Sequence, residues 1–384
     1  MSNVNAIKDV LSEALSTGAV EGAVVHVGDG RGEEFTVSAG ESFGETIGDD
    51  SVWWLASITK GLVAACALMC VERGQLDLAA PVSVYLPSWA KPRRVRRLAR
   101  GTQLVPAAPF TTDDPNEWVT EDATRPILVR HLLTMTSGLQ TIGVPNPAIP
   151  VLAEGDTLES FADAVADAPL DFQPGERWHY SNATAFDVVA RLVEVVSGQD
   201  FGTFLRANIL DPLGMSGTDL GITDRNRTLA LPLHPFVATH PMVNGYPCGS
   251  AGAFGTAADV GRFARMLLDG GLTSRGSRVL QESTVRAMVT HQIGDLRLAG
   301  VNATQYGGLP ARTNNGVGFG YGVLTLLDAD EAGVPVPEGS FGWDGIGSRR
   351  WWAIPARDAV IVMLAEGPQA QALHRAVERA ALAT

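Results

Sequence analysis

Trp54-Leu55-Ala56-Ser57-Ile58-Thr59-Lys60-Gly61 opens a run in which Ile58, Leu62, Val63, Cys66, Met69 and Cys70 recur at helical spacing. That pattern predicts an α-helix with one buried face and Ser57 at its start. Serine is a favoured N-cap, and on this stretch alone a cap is the simplest reading. The same geometry also carries chemistry. Positions i and i+3 share a helix face, so the Lys60 amine comes up beside the Ser57 hydroxyl. A helix N-terminus presents free N–H groups and positive potential to a developing oxyanion. A buried lysine can give up its proton and serve as a base.

Working outward, the 384 residues suffice for two domains or one large one. With 45% hydrophobic and 18% charged residues, the composition is that of an ordinary soluble globular protein. Acidic side chains outnumber basic ones by 42 to 29, for a formal net charge of −13. This excess argues against nucleic acid or a membrane surface as partner. The basic run from Lys91 to Arg100 is the exception and reads as a solvated insertion loop, a partner-docking patch being the alternative. Three cysteines, Cys66, Cys70 and Cys248, suggest reduced, packed thiols in a cytoplasmic protein. Met1 to Val10 has no basic segment leading into an apolar one, so no secretory signal is expected. No apolar run approaches the roughly 18 residues of a membrane span.

Periodicity and turn residues predict a helix over 5–16, strands over 22–27 and 34–38, and the Ser57 helix ending near Gly74. An irregular insertion is expected over 89–122 and a loop over 140–156. Helices are expected over 127–135, 158–168, 183–197, 201–210, 256–269, 284–290 and 369–382. Strands are expected over 320–328, 350–354 and 359–364. Elements of both kinds at the two ends, with helices between, predict an α/β domain built from residues 1–87 and 245–384. A mainly helical domain, 88–244, would be inserted into it. Ser57 would lie at the junction, where pockets form.

Two further stretches carry candidate chemistry. His179-Tyr180-Ser181-Asn182 follows Gln173-Pro174-Gly175 and precedes a predicted helix. Its simplest reading is an N-cap beside a packed aromatic. A Tyr180 hydroxyl next to an ammonium would also shuttle a proton, and Asn182 would offer its amide to a substrate carbonyl and touch Lys60. Gly342-Trp343-Asp344-Gly345-Ile346-Gly347 precedes a predicted strand. It reads either as a hairpin turn or as a place where something approaches the backbone closely.

Taken together, these stretches resemble the serine β-lactamase and penicillin-binding-protein superfamily over most of the chain. Ser57-Ile58-Thr59-Lys60 matches the S-x-x-K motif, and Tyr180-Ser181-Asn182 matches Y-x-N. Trp343-Asp344-Gly345 stands where lactamases and transpeptidases carry K-T-G. His131 to Leu139, Pro212 to Met215, and Gly249 to Gly252 leading to Asp259 are also similar. The resemblance implies an antiparallel sheet flanked by helices with an inserted, mainly helical domain. A third motif with tryptophan in place of lysine, followed by an acid, is similar to the family VIII carboxylesterases.

The resemblance implies Ser57 as nucleophile, with Lys60, Tyr180 or the coupled pair as base. It implies the backbone N–H groups of Ser57 and Ile346 as oxyanion donors. Asn182, Trp343, Asp344 and Gly345 would contact a small-molecule ester or amide substrate. Neither a metal nor another cofactor is expected, and His234 and His240 read as structural. Trp53, Trp54, Trp178, Trp343 and Phe254 lie near the motifs and suggest an aromatic pocket, core packing being the alternative. Asp344 would favour an amine-bearing substrate if it faced the cleft, and would otherwise cap a turn. The expected activity is that of a serine carboxylesterase. An amidase, aminopeptidase or acyltransferase on the same scaffold is the alternative. A β-lactamase, a D,D-peptidase or a catalytically silent binding protein has less support.

Overall fold

The computed structural model describes residues 2–30, 32–98, 118–140, 146–226, 235–243, 245–296, 298–299, 316–367 and 369–383. His234 and parts of the expected insertion and loop lie outside them.

The strands, in chain order, are β1 (Gly22–Asp29), β2 (Glu34–Ser42), β3 (Glu45–Thr46), β4 (Trp53–Trp54), β5 (Arg94–Leu98), β6 (Trp118–Asp122), β7 (Trp178–His179), β8 (Asp219–Leu220), β9 (Ala253–Gly255), β10 (Leu298–Ala299), β11 (Val317–Phe319), β12 (Leu324–Leu326), β13 (Phe341–Gly345), β14 (Arg349–Ile354) and β15 (Ala359–Glu366). The helices are α1 (Ser2–Ser16), α2 (Thr59–Glu72), α3 (Val129–Leu133), α4 (Leu158–Val165), α5 (Ala185–Ser197), α6 (Phe201–Leu205), α7 (Pro235–Ala238), α8 (Ala257–Leu268), α9 (Glu282–Val289), α10 (Ala329–Ala332) and α11 (Ala370–Leu382).

Eight strands form one antiparallel sheet in the order β11-β12-β13-β14-β15-β1-β2-β3. The two ends of the chain meet at its centre, where Gly22 lies opposite Glu366 and Asp29 opposite Ala359. The apolar run of β1 is buried on both faces, as a central strand requires. Alternation along β14 assigns the covering helices. Trp351 packs on Phe263 of α8, with ring centroids 6.0 Å apart. Arg350 and Trp352 point the other way and reach Glu378 of α11. α1 packs beside α11 on that second face.

α2 runs behind the sheet against α5 and is buried on every side from Thr59 to Cys70. The expected single buried face is corrected accordingly. A helix enclosed all round is apolar all round, and spacing alone does not distinguish it from an amphipathic one. Cys66, Cys70 and Cys248 are all buried and free.

The stretch expected to be irregular carries a hairpin, with β5 pairing to β6 from Arg94–Asp122 to Leu98–Trp118. Its basic run is also not simply solvated. Arg96 is buried in an ion pair with Asp171 at 2.7 Å. Arg93 donates to the carbonyls of Val165, Ala166 and Ala168. A cation is well placed there, at the negative C-terminal end of α4. The expected helix 201–210 divides into α6 and a π-helical turn, Arg206–Leu210. The expected strand 320–328 is the second half of a hairpin, β11–β12. Among the described residues no helix is long and apolar enough to cross a membrane.

Candidate active site

Ser57 lies in a tight turn, Ala56–Ile58, just ahead of α2. Ala56 holds φ +50°, a left-handed conformation that costs a non-glycine residue about 1–2 kcal/mol. Thr59 and β9 over-determine that turn. Thr59 Oγ1 donates to Ala56 O at 2.6 Å and accepts from the Ala253 N–H at 3.0 Å, while the Leu55 N–H donates to Ala253 O at 2.9 Å. Neither the turn nor α2 has a side-chain cap, so the capping reading of Ser57 is set aside. Its half-buried hydroxyl is engaged elsewhere.

Two side chains meet at Ser57 Oγ. The Tyr180 phenol donates to it at 2.6 Å, and Lys60 Nζ lies 3.2 Å away. Lys60 is fully buried. Its Nζ also donates to Asn182 O at 2.9 Å and Ser250 O at 2.7 Å, and it sits 5.1 Å from the centre of the Tyr180 ring. Asn182 thus meets Lys60 through its backbone, while its side chain is exposed. The pair of carbonyls has a stereochemical consequence. A neutral amine has two N–H groups and one lone pair. Were the amine neutral, the two carbonyls would take both N–H groups and leave the lone pair for Ser57.

Tyr180 is held by rings. Trp343 lies 5.6 Å from it and Trp178 6.5 Å, while Phe319 packs edge-on against both tryptophans at 5.2 and 5.4 Å. Trp343 is only 6% exposed, so it backs the tyrosine rather than spreading its face into the cleft. The expected aromatic pocket is corrected with it. Trp53, Trp178 and Phe254 are core, and Trp54 alone of the five is partly exposed. Its Nε1 donates to Ala251 O at 2.6 Å.

The glycine-rich third stretch is a strand, β13, rather than a turn. Its pleat sends Trp343 and Gly345 to the Ser57 side and Asp344 to the other. There Arg350 grips Asp344 with two bonds, of 2.8 and 2.7 Å, and bonds Glu378 at 3.2 Å. The expectation that Asp344 faces the cleft is overturned, and the turn-cap alternative with it. Burial pushes the carboxyls of Asp344 and Glu378 up, against the pull of Arg350. Gly345 is needed for space. A Cβ on it would lie 2.7 Å from Leu55 O and 3.2 Å from Ala56 Cβ. Ile346 follows in the turn to β14, 42% exposed. Its N–H makes no hydrogen bond among the described residues.

One residue behind Lys60 escaped the sequence reading. Asp187, fully buried on α5, accepts from Tyr246 Oη at 2.8 Å and from the Ser250 N–H at 2.7 Å. It thereby fixes the residue whose carbonyl holds Lys60. Burial raises the carboxyl, offset in part by these donors. An aspartate one turn into a helix reads as a dipole partner, so its sequence position gave no sign of this role. The chain's single G-x-S-x-G, Gly40 to Gly44, joins β2 to β3. A nucleophile elbow joins a strand to a helix, so Ser42 is not one.

A serine held between a lysine and a tyrosine beside an antiparallel sheet, with helices on both faces, has the architecture of the serine β-lactamases and transpeptidases. The chain belongs to the beta-lactamase family, whose model matches residues 7–384. It is 29% identical over 377 residues to esterase EstB of Burkholderia gladioli, covering 87% of this chain and 84% of the esterase. It is 27% identical over 351 residues to lovastatin esterase of Penicillium rubens, covering 83% and 82%. Among solved structures it resembles EstCE1, a hydrolase with promiscuous acyltransferase activity, with a TM-score of 0.74 at 23% identity, over 99% of this chain and 98% of that one.

Proposed function

We propose that the protein is a serine carboxylesterase that cleaves small carboxylic esters through an acyl-enzyme on Ser57. The observation that carries the reading is the double engagement of Ser57 Oγ by Tyr180 and Lys60. Ser57 attacks the ester carbonyl, and its proton passes to the Lys60–Tyr180 pair. The carbonyl oxygen becomes an oxyanion held by the N–H groups of Ser57 and Ile346. The pair returns the proton to the departing alcohol, and water, deprotonated by the same pair, then frees the acid. Lys60 and Tyr180 share one hydroxyl, so the proton is assigned to the pair and not to either residue alone.

An ester rather than a lactam or D-alanyl peptide is favoured by the third motif. Trp343 stands where those enzymes carry a lysine for the substrate carboxylate. The nearby Arg350 is turned to the far face and paired. The named esterase relatives support the same substrate class. The reading places the enzyme in the cytoplasm, a reducing compartment in keeping with three unpaired thiols. Acyl transfer to an alcohol is the second reading, supported by the likeness to EstCE1.

Hydrolysis of p-nitrophenyl acetate, butyrate and octanoate beside nitrocefin tests this, with Ser57→Ala and Tyr180→Phe as variants. Short-ester turnover is expected to vanish in Ser57→Ala and to fall about 10³-fold in Tyr180→Phe, the usual worth of a positioned proton-transfer group. Nitrocefin should be inert or very slow. Fast nitrocefin turnover, or ester turnover that survives Ser57→Ala, refutes the reading. Ester product appearing on added alcohols in preference to free acid would favour acyl transfer.

A further inference from the structure

We propose that Arg349 is a positioning residue that fixes the spacing of the two oxyanion donors. The proposal rests on the acyl-enzyme reading above. The two N–H groups belong to separate pieces of the fold. Ser57 follows β4, which pairs with β9 in a small three-stranded sheet, and Ile346 lies in the β13–β14 turn of the main sheet. An oxyanion hole works only if its donors stand at a set distance from one developing charge, so something must tie these pieces together.

One guanidinium does so. Arg349 Nε donates to Trp54 O at 3.2 Å, three residues before Ser57. Its Nη1 donates to Gly347 O, one residue past Ile346, and to Ala365 O on β15 at 3.2 Å. Nη2 pairs with Glu366, and the Trp53 ring lies 5.3 Å from the guanidinium carbon. Five donors on a rigid plane suit this task, and a lysine ammonium on a flexible stem does not. The glycine at 347 fits the arrangement. It holds φ +81°, and a Cβ there would stand 2.1 Å from the Arg349 Nη1 atom. Arg349 is 5% exposed and its charge is matched by Glu366, so it is not free to bind a substrate carboxylate.

The test compares wild type, Ser57→Ala, Arg349→Lys and Arg349→Gln on p-nitrophenyl butyrate, with rates expressed per folded molecule from near-ultraviolet circular dichroism. The lysine variant keeps the charge beside Glu366 and loses the fork. The glutamine variant is its uncharged counterpart. In both, kcat should fall about 30- to 100-fold, somewhat less than outright loss of one oxyanion donor. KM should stay within about threefold, because the ground-state carbonyl leans less on the hole. Inhibition by butylboronic acid, which makes a tetrahedral anion on the serine, should weaken by a similar factor. The base limb of the kcat/KM pH profile should not move, whereas a general collapse of the site would shift it. A kcat within twofold of wild type overturns the proposal, as does a lower kcat with undiminished boronate affinity. Turnover that persists in Ser57→Ala would refute the acyl-enzyme reading instead.

Discussion

Gly345→Ala is the sharpest perturbation the geometry offers. The new methyl carbon would stand 2.7 Å from Leu55 O, 3.2 Å from Ala56 Cβ and 3.1 Å from Arg349 Cβ. All three are backbone or Cβ atoms, so no side chain can swing aside. Contact at ordinary van der Waals separation is about 3.5 Å, so the end of β13 must back away from the Ser57 turn by about half an ångström or more. Ile346 moves with it. A misplacement of about 1 Å can cost about 100-fold in rate, so kcat should fall about 10- to 100-fold, or about 1.4–2.7 kcal/mol of transition-state stabilisation. Overpacking should cost about 1–3 kcal/mol of stability. Steady-state hydrolysis of p-nitrophenyl butyrate, beside urea unfolding, reads both quantities. A variant with kcat within threefold of wild type, and a stable fold, would refute the claim that strand and turn are in rigid contact.

Two further outcomes follow from the packing. His26 is buried, and burial lowers its pKa to about 4 from the ordinary 6.5. The folded protein therefore holds it neutral while the unfolded chain protonates. Stability is intact above pH 6.5 and is lost as pH falls toward 4, by about 2 kcal/mol at pH 5. Urea titrations of wild type and His26→Gln at pH 7.5 and 5 should show that differential, and parallel losses in both would contradict it. The second outcome separates neighbouring arginines. Arg96→Met breaks a pair that is 4% and 0% exposed and should cost about 3–5 kcal/mol. Arg97→Met breaks one that is 55% and 50% exposed and should cost under about 1 kcal/mol. Equal urea midpoints for the two variants would count against the buried placement of Arg96.

The fold was legible where pattern and length agree. β1 and β15 are apolar runs bounded by turn residues, and α8 is capped by Thr256, whose side chain accepts the Asp259 N–H. The strands missed were short or unusual in composition. β13 contains two glycines in five residues, and β5 has three arginines. Propensity disfavours the glycines, and charge hides the strand, until tertiary neighbours are known. In the site, spacing sufficed to bring Lys60, in the first turn of α2, beside Ser57 in the turn just ahead of it. It had no means to choose between Asn182's amide and its carbonyl, or between the two faces available to Asp344.

By itself the sequence determined which residues could do chemistry: a serine and a lysine three positions apart at a helix start, a tyrosine that can trade a proton, and a third motif lacking the usual lysine. Local periodicity and side-chain chemistry are written into the chain, so they survive without a structure. Tertiary structure alone decided which groups meet. It brought Tyr180 to within 2.6 Å of Ser57 across 123 positions of sequence. It turned Asp344 away from the cleft by the pleat of β13, set Asp187 behind Lys60 and tied Arg349 to the strand that leads to Ser57. Those outcomes depend on strand register and on which element covers which face. Both are fixed by burial and pairing summed over the whole molecule, because a one-residue slip in register would send every side chain of a strand to the opposite side.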